Sequence, residues 1–189
     1  MFAKRLLPTV ISMITLAVFA VSAGAAEKAA SFTKMPTVKG IETLKAGAKA
    51  PDFAVTDLTD KEFRLKEALA KGPALIFFWS FFCGPCREEI PMINELTKEF
   101  KDKGLTVVGV NLDGRDMKKA VDKFYVAEKL TFNIVFDELV GDAFAVADPY
   151  GVAGTPAIFL VDKDSTITFS VVGAVTGDVL RKEIAKVAK

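Results

Sequence analysis

The chain has 189 residues, 51% of them apolar, which is enough for one packed domain with an extension. Its 25 basic and 24 acidic residues nearly cancel, so it has neither the basic excess of a nucleic-acid binder nor the acidic excess of a disordered chain. It contains no histidine, which excludes a Ser-His-Asp triad, a Cys-His dyad and any histidine metal site, and leaves acid–base chemistry to Asp, Glu, Lys, Tyr or Cys.

Residues 1–25 read as an export signal or a membrane anchor. Lys4 and Arg5 form a charged start, Leu6 to Val21 is largely apolar, and Ala23-Gly24-Ala25 fits a small-x-small cleavage site. The stretch Leu6 to Ala26 is also just long enough to span a bilayer, so a kept tether is the alternative to cleavage. No cysteine follows the apolar run to carry a lipid. Either way the domain is expected outside the cytoplasm, periplasmic or otherwise extracytoplasmic, where thiol redox state must be managed. Residues 26–47, rich in Ala, Lys and Thr, read as a linker or arm, and residues 48–189 as the folded domain.

Ala50-Pro51-Asp52-Phe53 opens that domain. Phe53–Thr56 and Glu62–Leu65, separated by Asp57-Leu58-Thr59-Asp60, predict a hairpin. Leu65–Leu69 predicts one helical turn, stopped by Gly72-Pro73. Ala74–Trp79 is a continuous apolar run, too short for a helix and rich in aromatics, so a strand buried on both faces is expected. A helix follows over Pro85–Lys103, closed by Gly104. Thr106–Leu112 predicts a strand, Asp116–Glu128 a helix, Phe132–Phe136 a short strand and Gly141–Ala147 a short helix. Pro156–Val161 and Ile167–Val172 predict a second hairpin, and Asp178–Val187 the last helix. Strands alternating with helices argue for an α/β sheet flanked by helices on both faces.

The two cysteines sit three apart, as Cys83-Gly84-Pro85-Cys86. They are too few for a four-ligand zinc site or a disulfide scaffold, so no metal or cofactor is expected. Their place between a buried strand and a helix start is the redox arrangement. Cys83 falls at the helix N-terminus, where unpaired amides and the dipole favour thiolate, the nucleophilic form. Cys86 lies one turn on, near enough to close a small ring and expel a bound partner. Pro85 suits the first helical turn, where its missing N–H costs nothing.

On a helical wheel of about 100° per residue, Ile90, Ile93, Leu96 and Phe100 share an arc with Cys86. Glu89 falls inside that arc, while Glu88, Glu95 and Glu99 lie opposite. Burial and a nearby thiolate are expected to raise the Glu89 pKa, so that it can exchange a proton with Cys86 near neutral pH. Pro91 is expected to kink the helix.

Trp79-x3-Cys83-Gly84-Pro85-Cys86 together with Thr155-Pro156 resembles the thioredoxin superfamily. The opening Ala50-Pro51-Asp52-Phe53 and Glu89, three positions after the second cysteine, are similar to its exported TlpA, ResA and CcmG-type branch, over about residues 48 to 188. The resemblance implies a thioredoxin fold, a mixed sheet with an N-terminal β-hairpin extension. It also implies a cis Pro156 facing the disulfide, and backbone pairing of Thr155 with an extended substrate segment. Two departures are notable. The buried Asp of cytoplasmic thioredoxin is replaced here by Phe77, which leaves any proton relay to Glu89. The acidic insertion of CcmG-type proteins has no convincing match between Asp113 and Asp122.

Gly84-Pro85 is the pair found in reducing thioredoxins, whereas oxidants resembling DsbA carry a histidine there. The expected activity is therefore reduction of disulfides in exported proteins, an apocytochrome c or a copper-site protein, with re-reduction by a membrane thiol donor of the CcdA or DsbD type. Trp79, Phe81 and Phe82 form an expected aromatic docking rim, with core packing the competing role for all three. Gly84, Pro85, Thr155 and Pro156 complete the expected substrate contacts. Three other activities compete. A general oxidase or isomerase is disfavoured by Gly84-Pro85. A peroxidase needs Thr-x-x-Cys, where this chain has Ser80-Phe81-Phe82-Cys83. A Cu(I) carrier would suit the thiolates, but the relatives that insert copper use Cys-x3-Cys and a histidine.

Overall fold

The computed structural model describes residues 42–189. The expected signal or anchor at 1–25, and the arm as far as residue 41, lie outside the described residues. The last arm residues belong to the domain. The Leu44 amide donates to the Tyr150 carbonyl, the Gly47 amide donates to Ile167, and the Ile167 amide donates to Ala48.

The sheet is built on β3 (Ala74–Trp79). It pairs in parallel with β4 (Thr106–Asn111), which pairs in parallel with β5 (Asn133–Phe136). On its other side β3 pairs antiparallel with β8 (Ala157–Val161), and β8 with β9 (Ile167–Val172). The order is β5-β4-β3-β8-β9. All six β3 residues are buried, as a central strand covered on both faces requires.

The pleat splits the core in two. Leu75, Phe77 and Trp79 point to the face covered by α2 (Gly84–Phe100), α4 (Gly177–Val187) and Val121 of α3 (Lys118–Ala127). Ala74, Ile76 and Phe78 point to the other, where α1 (Leu65–Leu69), Phe53, Tyr150 and Val152 pack. A small hairpin of β1 (Ala54–Thr56) and β2 (Glu62–Arg64) leads into α1. Burying apolar area on both faces at roughly 25 cal/mol per Å² is the main force holding these layers.

One predicted element is wrong. Residues 141–147 are not a helix. Leu139–Val140 (β6) and Ala143–Phe144 (β7) form an antiparallel ribbon, and Gly141 at φ +68° occupies the left-handed position of its two-residue turn. The buried Asp137 carboxylate then accepts the Val146 and Ala147 amides at 3.0 and 2.7 Å. Those amides are thereby bound outside any helix. The long helix also ends earlier than predicted: α2 stops at Phe100, and Lys101–Lys103 form a 3-10 turn closed by Gly104 at φ +80°. It runs unbroken through Pro91.

Candidate active site

β3 ends at Trp79, and after the four residues Ser80–Cys83 α2 begins at Gly84. Cys83 is the helix cap. Its backbone is extended, and its Sγ accepts the Cys86 amide at 3.2 Å. The sulfur therefore lies where an unpaired helix N–H and the positive end of the dipole favour a thiolate. Cys83 and Cys86 are joined in a disulfide with Cα atoms 5.3 Å apart. Cys83 is half-buried, while Cys86 is 0% exposed. Of the two sulfurs, the first is the one open to an incoming partner.

The Thr155–Pro156 bond is cis, and the Thr155 carbonyl oxygen lies 3.6 Å from Cys83 Sγ. Pro156 immediately precedes β8, the antiparallel neighbour of β3. The end of β3 and the start of β8 thus meet at one edge of the sheet. The Pro156 carbonyl accepts the Gly173 amide at 2.8 Å, which ties the loop after β9 to the same edge.

Glu89 lies on the buried face of α2, 6% exposed, one turn from Cys86. Its Oε1 accepts the Val175 amide at 2.6 Å, while Oε2 is buried without a partner among the described residues. Burial raises the carboxyl pKa, and the Val175 hydrogen bond partly opposes this. Glu88, Glu95 and Glu99 are exposed on the far face.

The aromatic rim needs a correction. Trp79 is 0% exposed, its ring 6.1 Å from Phe124 and its indole nitrogen against Gly109, and so it belongs to the core and not to a docking surface. The alternation of β3 turns it under α2. Phe81 is half-buried against Phe124, and the Arg87 guanidinium lies over both rings at 5.4 and 5.3 Å. Phe82 alone projects, 74% exposed, beside exposed Gly84 and Pro85.

Sequence reasoning assigned no site role to Asp113, Ser80 or Val175. The Asp113 carboxylate accepts the Ser80 hydroxyl and the Phe81 amide, both at 2.6 Å. The available signal was Asn111-x-Asp113 directly after a buried strand, where short polar side chains bind loop amides. Val175 contributes only its backbone N–H, which no residue identity announces.

A disulfide at the N-terminus of a helix that follows a buried central strand, faced by a cis-proline, defines a thioredoxin-fold thiol–disulfide oxidoreductase. Residues 46–170 match the AhpC/TSA family, and the chain belongs to it. A thiol-disulfide oxidoreductase ResA of Bacillus anthracis is 33% identical over 77% of this chain and 80% of its own length. A Chlorobium tepidum crystal structure described as a thiol:disulfide interchange protein DsbE is 32% identical, with a TM-score of 0.66 over 76% of this chain and 98% of that one. A secreted Mycobacterium tuberculosis disulfide oxidoreductase, homologous to E. coli DsbE, is 25% identical with a TM-score of 0.58, covering 71% and 95%. This chain is accordingly a ResA-like enzyme with Cys83 and Cys86 as its redox pair.

Proposed function

We propose that the enzyme is an extracytoplasmic reductant of disulfides in exported proteins. The observation that carries this reading is Gly84-Pro85 between the cysteines in a chain with no histidine. No imidazolium stands by to stabilise the reduced form, which is what makes a strong oxidant. The leader-like residues 1–25 and the secreted relative support the location.

In the reaction, the Cys83 thiolate attacks one sulfur of the target disulfide. An S–S bond forms to Cys83, and the target's other sulfur leaves as a thiolate. The Glu89 carboxylate takes the Cys86 thiol proton. Cys86 then attacks Cys83 Sγ, the mixed disulfide breaks, and the second target thiolate leaves. The target has gained two electrons, and the pair is left as the disulfide. A membrane thiol donor of the CcdA or DsbD kind supplies the two electrons that restore it. An extended target segment lies along Thr155, with Phe82 and the Gly84-Pro85 ridge as its apolar seat. An apocytochrome c or a copper-site dithiol protein fits such a seat.

The test is the reduction potential of the pair, by equilibration against glutathione. A value well below about −220 mV is expected, and one near about −120 mV would reverse the direction of electron flow. Insulin reduction should exceed activity in refolding scrambled ribonuclease, and peroxide turnover should be absent. Cys86→Ser, which cannot resolve the intermediate, should accumulate mixed disulfides with the physiological target.

A further inference from the structure

The loop from Ser80 to Phe82 has no regular structure, yet every amide from Phe81 to Cys83 has a partner. The Phe81 N–H donates to Asp113 Oδ2 at 2.6 Å, the Phe82 N–H to Ser80 Oγ at 3.1 Å, and the Cys83 N–H to the Ser80 carbonyl at 3.1 Å. Ser80 is itself held, because its hydroxyl donates to Asp113 Oδ1 at 2.6 Å. Asp113 is fixed in turn by Asn111, which is fully buried at the end of β4. The Asn111 side-chain amide donates to Oδ2 at 2.9 Å, and the Asp113 N–H donates to Asn111 Oδ1 at 3.1 Å. One carboxylate on the neighbouring strand's loop thus organises the segment that carries Cys83.

We propose that Asp113 is a positioning residue for thiol–disulfide exchange: it holds the Ser80–Cys83 segment so that the Cys83 sulfur stays at the α2 N-terminus when the disulfide opens. In the disulfide state the bond to Cys86 already places that sulfur. In the dithiol state only the backbone does, and the backbone there is anchored through Asp113 and Ser80. Loss of the anchor therefore falls more heavily on the reduced form, whose thiolate depends on the helix amides. A residue that merely supported the fold would weaken both states alike and leave the redox equilibrium unchanged. The proposal rests on the enzyme class and not on the direction of electron flow, so it stands or falls separately from the reductant reading.

The experiment compares wild-type full-length chain with Asp113→Ala, Asp113→Asn and Ser80→Ala. Each is equilibrated in glutathione buffers, and Cys83 alkylation by iodoacetamide is timed at neutral pH. Asp113→Ala should shift the equilibrium about threefold or more toward the disulfide and slow alkylation by a similar factor. Asp113→Asn keeps one acceptor oxygen and should recover part of both. Ser80→Ala removes one link and should shift the equilibrium less, in the same direction. An unchanged equilibrium constant in Asp113→Ala, with only a lowered melting temperature, would overturn the proposal. If that variant does not fold, an unchanged constant in Ser80→Ala overturns it instead.

Discussion

Glu89 differs from its neighbours on α2 by a rotation of the helix. It carries the same group as Glu88 but is buried, and its ordinary pKa of 4.5 is raised. A raised folded value means that the native state binds more protons than the unfolded chain above about pH 4.5. Stability present below that pH is lost as pH climbs through the raised value. The oxidised protein's denaturant midpoint should therefore fall from about pH 4.5 toward neutrality more in wild type than in Glu89→Gln. Asp137, also raised by burial, is common to both proteins and cancels. Parallel pH profiles would show that Glu89 ionises normally. Glu89→Gln should also slow release of the mixed disulfide, by on the order of a hundredfold, if the carboxylate takes the Cys86 proton. Phe82 and Trp79 mark the opposite contrast, between surface and core. Phe82→Ser should leave stability within about 0.5 kcal/mol, since the ring is exposed. It should raise KM for a protein disulfide while leaving exchange with glutathione unchanged. Trp79→Ala should cost about 3–5 kcal/mol in denaturant unfolding.

Among elements, β4 shows how a strand makes room for its neighbour. A Cβ on Gly109 would lie 2.9 Å from Phe132 Cε2 and 3.2 Å from Trp79 Nε1. Gly109→Ala should therefore destabilise the protein by about 1–3 kcal/mol through overpacking. Because Trp79 is the single tryptophan, its fluorescence reports any displacement directly. An unaltered spectrum and midpoint would mean that the two rings yield freely. The strands and long helices were legible in the residues because each carries a period or an unbroken apolar run: β3 and the buried arc of α2 stand as read. The predicted helix at 141–147 failed for a local reason. Gly141 takes a left-handed turn, and the Asp137 carboxylate binds the Val146 and Ala147 amides, and neither leaves a periodic signature.

At the scale of the molecule, the active edge is assembled from distant parts of the chain. The parallel pairing of β3 with β4 brings Asp113 under the Cys83 loop, 32 residues from the amide it binds. The antiparallel return of β8 sets Thr155 beside Cys83, 72 residues away. The loop before α4 delivers the Val175 amide to Glu89 across 86 residues. The sequence by itself determined the redox pair, its place at a strand-to-helix junction, the buried face that Glu89 shares with Cys86, and the fold class. The first three are written in spacing along a few turns of backbone, where geometry follows directly from position, and the fold class in the alternation of strands and helices together with the family resemblance. Only the tertiary structure decided that Trp79 is core and Phe82 is exposed, that the end of the arm is bonded into the domain, and that the Asp113 carboxylate is hydrogen-bonded to the Ser80–Phe81 loop. Those outcomes depend on which strand lies beside which and on which face of the sheet is covered. They come from packing between residues far apart in the chain, and no local pattern encodes them.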